Sequence, residues 1–198
     1  EIPKRDWSSD VCSSDLAAMR ALDFNKKVLL VERNQIGGAG VTNGALSSKT
    51  WWEISRKAIN LRNAASFLNF SPPKASFEEL NLLVKDTIRY KIDLLNEQIE
   101  AVKDSVYKGL MFFKKGSAFL LSEHEVEISD GEIREVVYAE NIILATGSRP
   151  RYLPELPIDE KIVMTSDHLE NMEAFPESMV IVGAGVIGCE YEIGRAHV

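Results

Sequence analysis

The chain has 198 residues, 45% of them hydrophobic and 27% charged, with a formal net charge of -7, a length that suits one complete domain plus a piece of another. Its acid excess leaves no basic footprint for a nucleic acid or an anionic membrane surface, and its longest apolar runs, such as 142–145 and 179–182, fall far short of the roughly 20 residues of a membrane span. Two cysteines, Cys12 and Cys189, exclude a disulfide scaffold and a zinc cluster, so no metal site is expected and a soluble protein of the reducing cytoplasm is.

Residues 1–16 contain no apolar core of the kind a signal peptide carries. The genetic code offers a sharper reading. With codons GAG ATC GGA AGA GCA CAC GTC for residues 192–198, the opposite strand encodes Asp10-Val11-Cys12-Ser13-Ser14-Asp15-Leu16. That DNA resembles a common sequencing-library adapter, whose continuation also encodes Arg5-Asp6-Trp7-Ser8-Ser9. Segments 1–16 and 192–198 are therefore read as translated adapter, which leaves a natural segment of 17–191, truncated within a helix at each end, with Cys189 its one cysteine.

Residues 17–22 continue a helix, and 27–32 form an apolar run that ends in an acid, as expected of a buried parallel strand. Together they make the back half of a βαβ unit. Glu32 stands at the end of the second strand, where a carboxylate accepts the hydroxyls of an adenosine ribose. The glycine loop that should precede this helix is replaced by adapter text. A glycine-rich stretch follows, Gly37-Gly38-Ala39-Gly40-Val41-Thr42-Asn43-Gly44-Ala45-Leu46-Ser47-Ser48-Lys49, and then a helix over 48–68 whose Trp51 and Trp52 are packing residues.

Pro72 and Pro73 break the chain, and Ser76 with Glu79 forms a capping box for a long amphipathic helix over 77–108. Short strands at 111–113, 118–121, 125–128 and 135–138, with Asp130-Gly131 as a hairpin turn, make a small antiparallel meander. Next comes Asn141-Ile142-Ile143-Leu144-Ala145-Thr146-Gly147-Ser148, a buried strand ending in small residues, and a proline-rich linker over 151–157. Residues 178–182 form a further apolar strand that runs into Gly183-Ala184-Gly185-Val186-Ile187-Gly188. Such a turn opening a helix holds a dinucleotide pyrophosphate on its backbone amides.

Four of these stretches resemble the pyridine nucleotide-disulfide oxidoreductases, the family of lipoamide dehydrogenase, glutathione reductase and mercuric reductase. The family's G-G-x-C-x-x-x-x-C-x-P-S-K is similar to residues 37–49, except that Gly40 and Ala45 occupy the two cysteine positions and Ser47 replaces the proline. Gly116-Ser117-Ala118 resembles the G-x-A whose backbone lies near the adenine. Ala145-Thr146-Gly147-Ser148 resembles the segment that returns the chain to the flavin, and Gly183 to Glu190 resembles G-x-G-x-x-G-x-E.

The resemblance implies an α/β fold with two dinucleotide-binding domains. A Rossmann-like FAD domain with a long helix and an antiparallel meander covers 17–150, and a linker with the start of an NAD(P) domain covers 151–191. It implies FAD contacts at Glu32, Gly37, Gly38, Ala118, Ala145, Thr146 and Gly147, nicotinamide-nucleotide contacts at Gly183, Gly185 and Gly188, and a Lys49–Glu190 pair near the flavin N5. The implied parent is a homodimeric FAD-dependent oxidoreductase taking hydride from NAD(P)H.

Without cysteines at 40 and 45, its small electron acceptor is not a disulfide. A second nicotinamide nucleotide, as in the soluble transhydrogenases that look like this family, a quinone and a dye-like oxidant all remain open. The alternative is a catalytically silent nucleotide-binding or regulatory protein. The 198-residue chain itself, without the first phosphate loop, is expected neither to hold FAD tightly nor to turn over.

Overall fold

The computed structural model describes residues 13–72 and 74–195. Pro73 and the adapter text at 1–12 and 196–198 therefore lie outside the described residues. The fold is mixed α/β, and the described residues divide into two compact units, one within Glu1–Gly38 and Ile92–Gly147, the other within Ala39–Lys91 and Ser148–Val198. Helix α4, Phe77–Lys103, contributes residues to both.

In the first unit, helix α1 (Ser13–Asp23) leads into strand β1 (Val28–Glu32), which pairs in parallel with β2 (Met111–Lys115), Val28 opposite Met111 and Glu32 opposite Lys115. Leu22, Val102 and Met111 form the buried core, with Met19, Val28, Leu30, Tyr107 and Leu110 packed around them. The apolar stripe of α4 and the apolar run of β1 thus meet on one side of a two-stranded sheet. The Tyr107 hydroxyl donates to Asp23 at 2.7 Å and ties the chain after α4 to the end of α1.

The expected meander forms from β3 (Ser117–Leu120), β4 (Glu125–Ser129) and β5 (Arg134–Tyr138), antiparallel in the order β3-β4-β5. Its turn is built by Asp130, whose Oδ1 accepts from the amides of Glu132 and Ile133 at 3.0 and 2.8 Å, with Gly131 at φ 104°. Those two amides, that of Ile133 first, hold the Asp130 carboxyl below the ordinary range.

Residues 141–145 depart from expectation. They form no strand, and Leu144 is 67% exposed. A strand needs a neighbour to take its ladder bonds. In a doubly wound sheet the first strand lies between the second and the fourth. β2 and β1 correspond to the third and second, but no strand preceding α1 is among the described residues.

In the second unit, α2 (Gly38–Thr42, its first residue belonging to the other unit) is followed by α3, Ala45–Leu68, which ends where Asn69 turns left-handed at φ 52°. Trp51 stacks on Phe77 at 5.4 Å, and Phe175 meets both rings edge-on at 6.3 and 5.1 Å. Trp51 is a packing residue, as its place in an apolar helix start suggested.

The capping box of α4 is present. The Glu79 amide donates to Ser76 Oγ at 3.2 Å, and the Ser76 amide donates to Glu79 Oε2 at 2.8 Å. The helix is shorter than its apolar pattern suggested and stops at Lys103, with Ser105 Oγ turned back onto the Val102 carbonyl at 2.7 Å. A 3-10 helix, Ser166–Asn171, precedes α5, Val186–Arg195. Residues 151–157 contain neither helix nor strand. The expected strand at 179–182 is also absent, with Val180 89% exposed. The cause is again a missing neighbour, because no strand of this unit is among the described residues to pair with it.

Candidate functional site

The loop leading to α3 is bent by glycines. Gly37 and Gly38 adopt φ 94° and 56°, values that side-chain-bearing residues rarely take. Gly44, the residue before α3, has a different reason. A Cβ there would lie 2.5 Å from the carbonyl oxygen of Ala39, so α2 can fold back against the start of α3 only over a bare Cα. Gly40 and Ala45 are exposed at this turn, as is Lys49, while Ser47 and Ser48 point inward, 0% and 7% exposed.

Those inward serines meet α5. Ser48 Oγ donates to Glu190 Oε2 at 2.8 Å, so two segments 142 residues apart are joined through a charge-assisted bond. The expected pair was Lys49 with Glu190. The structure brings these residues side by side, but the hydroxyl next to Lys49 is what holds the carboxylate, and no Lys49–Glu190 ion pair occurs among the described residues.

The glycines of 183–188 divide the work of a phosphate loop. Gly183 takes φ 119°. A Cβ on Gly188 would collide with the Gly183 carbonyl oxygen and reach Ile181 Cγ2 at 3.2 Å, so the helix can approach the preceding segment only as glycine. Gly185 has open space where its Cβ would stand, and its carbonyl accepts the Cys189 amide at 3.0 Å to start α5. A closed inner side and an open outer side above the first amides of a helix fit a pyrophosphate. Cys189 is exposed rather than buried as its small apolar character suggested.

Sequence reasoning missed three residues around this junction. Asn81, buried in α4, donates its Nδ2 to the Glu170 carbonyl at 2.9 Å. Burial, ahead of a neighbouring Asp167, pushes the Glu170 carboxyl up, opposed by a hydrogen bond from Ser47 and by Lys85. Burial likewise pushes the Tyr191 phenol up, with Glu170, Glu190 and Asp167 adding to the shift and a Ser47 hydrogen bond opposing it. Adjacency in sequence was the available signal: Ser47 lies two residues before Lys49, and Tyr191 follows Glu190.

In the first unit, Glu32 closes β1, half-exposed, and its Oε1 accepts the Asn34 amide at 2.8 Å, which fixes the carboxylate at the strand end. Ala118 is exposed on β3 opposite Ile128. Ala145, Thr146 and Gly147 are exposed in an irregular segment, Gly147 at φ 74°. The acid, the turn glycines and the small residues fit part of an FAD site, while a first phosphate loop is not among the described residues. No group of three or more histidine, cysteine or acidic side chains there could hold a metal, and no helix there is long and apolar enough to cross a membrane.

Residues 16–193 match the family of the pyridine nucleotide-disulphide oxidoreductases. The chain belongs to that family. It is 32% identical over 179 residues to a dihydrolipoyl dehydrogenase of Bacillus subtilis, an alignment covering 89% of this chain and 38% of that protein. A soluble pyridine nucleotide transhydrogenase of Hahella chejuensis is 29% identical, with 88% and 37% covered. Among solved structures, LpdA of Mycobacterium tuberculosis superposes with a TM-score of 0.69 at 22% identity, over 83% of this chain and 35% of that one, a likeness of fold. The chain thus spans 38% or less of the length of these relatives.

Proposed function

We propose that the chain is part of an FAD-dependent NAD(P)H oxidoreductase whose electrons pass from a nicotinamide nucleotide through flavin to an acceptor that is not a disulfide, in the manner of a transhydrogenase or diaphorase. The observation that carries this reading is the 2.8 Å bond from Ser48 to Glu190, which brings the two family motifs together around Lys49. Relatives named dihydrolipoyl dehydrogenase and soluble pyridine nucleotide transhydrogenase support the general kind of chemistry. The sequence supports the acceptor class, because Gly40 and Ala45, exposed where the resemblance puts two cysteines, offer no thiol.

Roles follow for the chain's own residues. The amides at the start of α5 would face the nicotinamide-nucleotide pyrophosphate, with Gly185 giving it room and Gly183 and Gly188 shaping the turn. Glu32 would accept the hydroxyls of the FAD ribose. Gly37, Gly38, Ala118, Ala145, Thr146 and Gly147 would let backbone approach FAD closely. Lys49 and Glu190 would set the charge beside the flavin ring. A bound FAD would supply two-electron chemistry, accepting hydride and passing electrons on. The parent protein would act as a cytoplasmic homodimer.

The test is made on the full-length gene product loaded with FAD. NAD(P)H should bleach the flavin anaerobically and support turnover with a second nicotinamide nucleotide or a quinone, with lipoamide and glutathione disulfide giving none. Robust disulfide reduction would defeat the acceptor assignment. A bound flavin that NADH and NADPH leave unbleached would instead support a silent nucleotide-binding protein.

A further inference from the structure

The first turn of α3 presents two adjacent buried hydroxyls, and each has to be satisfied because an unbonded buried hydroxyl costs free energy. Ser47 donates to the Gly44 carbonyl at 3.2 Å, a bond within its own turn. Ser48 has the same local choice, the Ala45 carbonyl at 3.4 Å, but Glu190 Oε2 lies closer at 2.8 Å. A hydroxyl has one proton, and the shorter bond to a charged acceptor is the stronger.

Ser47 faces Tyr191 and Glu170 as their hydrogen-bond partner. Consecutive residues of α5, Glu190 and Tyr191, therefore rest on consecutive residues of α3, Ser48 and Ser47. Proline at position 47 would have no hydroxyl for this purpose, so the serine found there adds a contact that the resembled loop pattern lacks.

We propose that Ser48 is the positioning residue for the Glu190 carboxylate, and that the Ser47–Ser48 pair clasps the start of α3 to α5. The carboxylate is held by a hydroxyl, which leaves the exposed Lys49 ammonium without Glu190 as counter-ion beside Gly40 and Ala45. The helix that begins at the phosphate loop and the helix that carries Lys49 then move as one piece. The relevance of the clasp to redox chemistry rests on the function proposed above. The bond itself does not.

A double-mutant cycle on the full chain tests it, with urea unfolding followed by the fluorescence of Trp51 and Trp52 on α3. Ser48→Ala with Glu190→Ala should show about tenfold coupling in the unfolding constant, as expected for a part-buried hydrogen bond to a charged group. Lys49→Ala with Glu190→Ala should show less than about twofold coupling. Ser48→Thr, which keeps the hydroxyl, should restore the coupling to Glu190. Hydrogen exchange of the α5 amides should quicken in Ser48→Ala and return to normal in Ser48→Thr.

Coupling of Glu190 to Lys49 instead of Ser48, or failure of the threonine to rescue, would overturn the clasp. If the coupling is found but NAD(P)H does not reduce the FAD-loaded full-length protein, the clasp stands and the oxidoreductase reading falls. Normal reduction without coupling removes the clasp alone.

Discussion

Two glycine-rich turns each lead into a helix, 37–44 into α3 and 183–188 into α5, and they use the missing side chain in different proportions. In both, the last glycine is there because something lies against it: the Ala39 carbonyl at Gly44, the Gly183 carbonyl and Ile181 at Gly188. The earlier glycines diverge. Gly185 leaves open space above the first amides of α5, whereas the first turn spends its residues on α2, which doubles back before α3 begins. A count of glycines does not separate these cases. Only the second turn leaves the start of its helix open for an anion, while the first presents side-chain positions 40 and 45 and the Lys49 ammonium.

The largest expected effect comes from closing the tighter of the two contacts. On helix propensity alone Gly188→Ala should stabilise α5 by up to about 1 kcal/mol. The added methyl would instead strike a backbone oxygen, which cannot rotate away, and overpacking of this kind costs about 1–3 kcal/mol or more. The steric term wins, and a net loss near 2 kcal/mol is expected in urea unfolding. A neutral or stabilised variant would show that the close approach of α5 to Gly183 is not maintained in solution.

Gly44→Ala probes the same device in the first turn, where the clash is with Ala39 O at 2.5 Å and the backbone sits at φ -126°, ψ -118°. Ala39 belongs to the five-residue helix α2, which can shift more readily than a carbonyl locked at the mouth of a ten-residue helix such as α5. A loss of about 1–2 kcal/mol is expected, smaller than at Gly188. Equal losses would mean that α2 is as firmly fixed as α5.

How far these turns could be read from sequence depends on what each call required. The helices, the Ser76–Glu79 cap and the Asp130-Gly131 hairpin are local, set by residues within one or two turns, and the structure has them. The apolar runs at 28–32, 142–145 and 179–182 have equal claims to be strands by pattern. Only the first found a partner, because β2 lies beside it, and pairing is a property of the neighbour rather than of the run. At the site, Lys49 and Glu190 were legible as motif positions, but not which donor Glu190 would take. That choice depends on Ser48 pointing inward while Lys49 points out, a rotation of about 100° per residue along a helix that no motif encodes.

The polar support under the first turn also gives a pH dependence. Burial raises the Glu170 carboxyl above its usual 4.5, so the folded state binds the proton more tightly than the unfolded one. The contribution of this group to stability is therefore fully present below pH 4.5 and is lost as pH rises through the raised folded value. Glu170→Gln should flatten that window while leaving stability on its acid side nearly unchanged. Urea midpoints of both proteins across the window check it, and an unaltered slope would show that Glu170 is solvated. The exposed Asp130 has the opposite sign: its amide bonds contribute above pH 3.8 and fade as pH falls through its lowered value.

The smallest expected change in stability is at Gly185, and there the comparison between the turns is sharpest. Its added methyl meets nothing within 4 Å and its φ lies outside the left-handed region, so Gly185→Ala should change unfolding by no more than about 0.5 kcal/mol. If the open space exists to admit a pyrophosphate, the same methyl occupies the ligand's place, and NAD(P)H affinity in the full-length protein should fall by tenfold or more, about 1.4 kcal/mol. The two effects should be reversed at Gly44, where alanine costs stability and leaves nucleotide affinity within about twofold. Binding titrations on the two variants beside their unfolding curves therefore separate a glycine kept for a ligand from one kept for packing. An unchanged affinity in Gly185→Ala would assign both turns to packing alone.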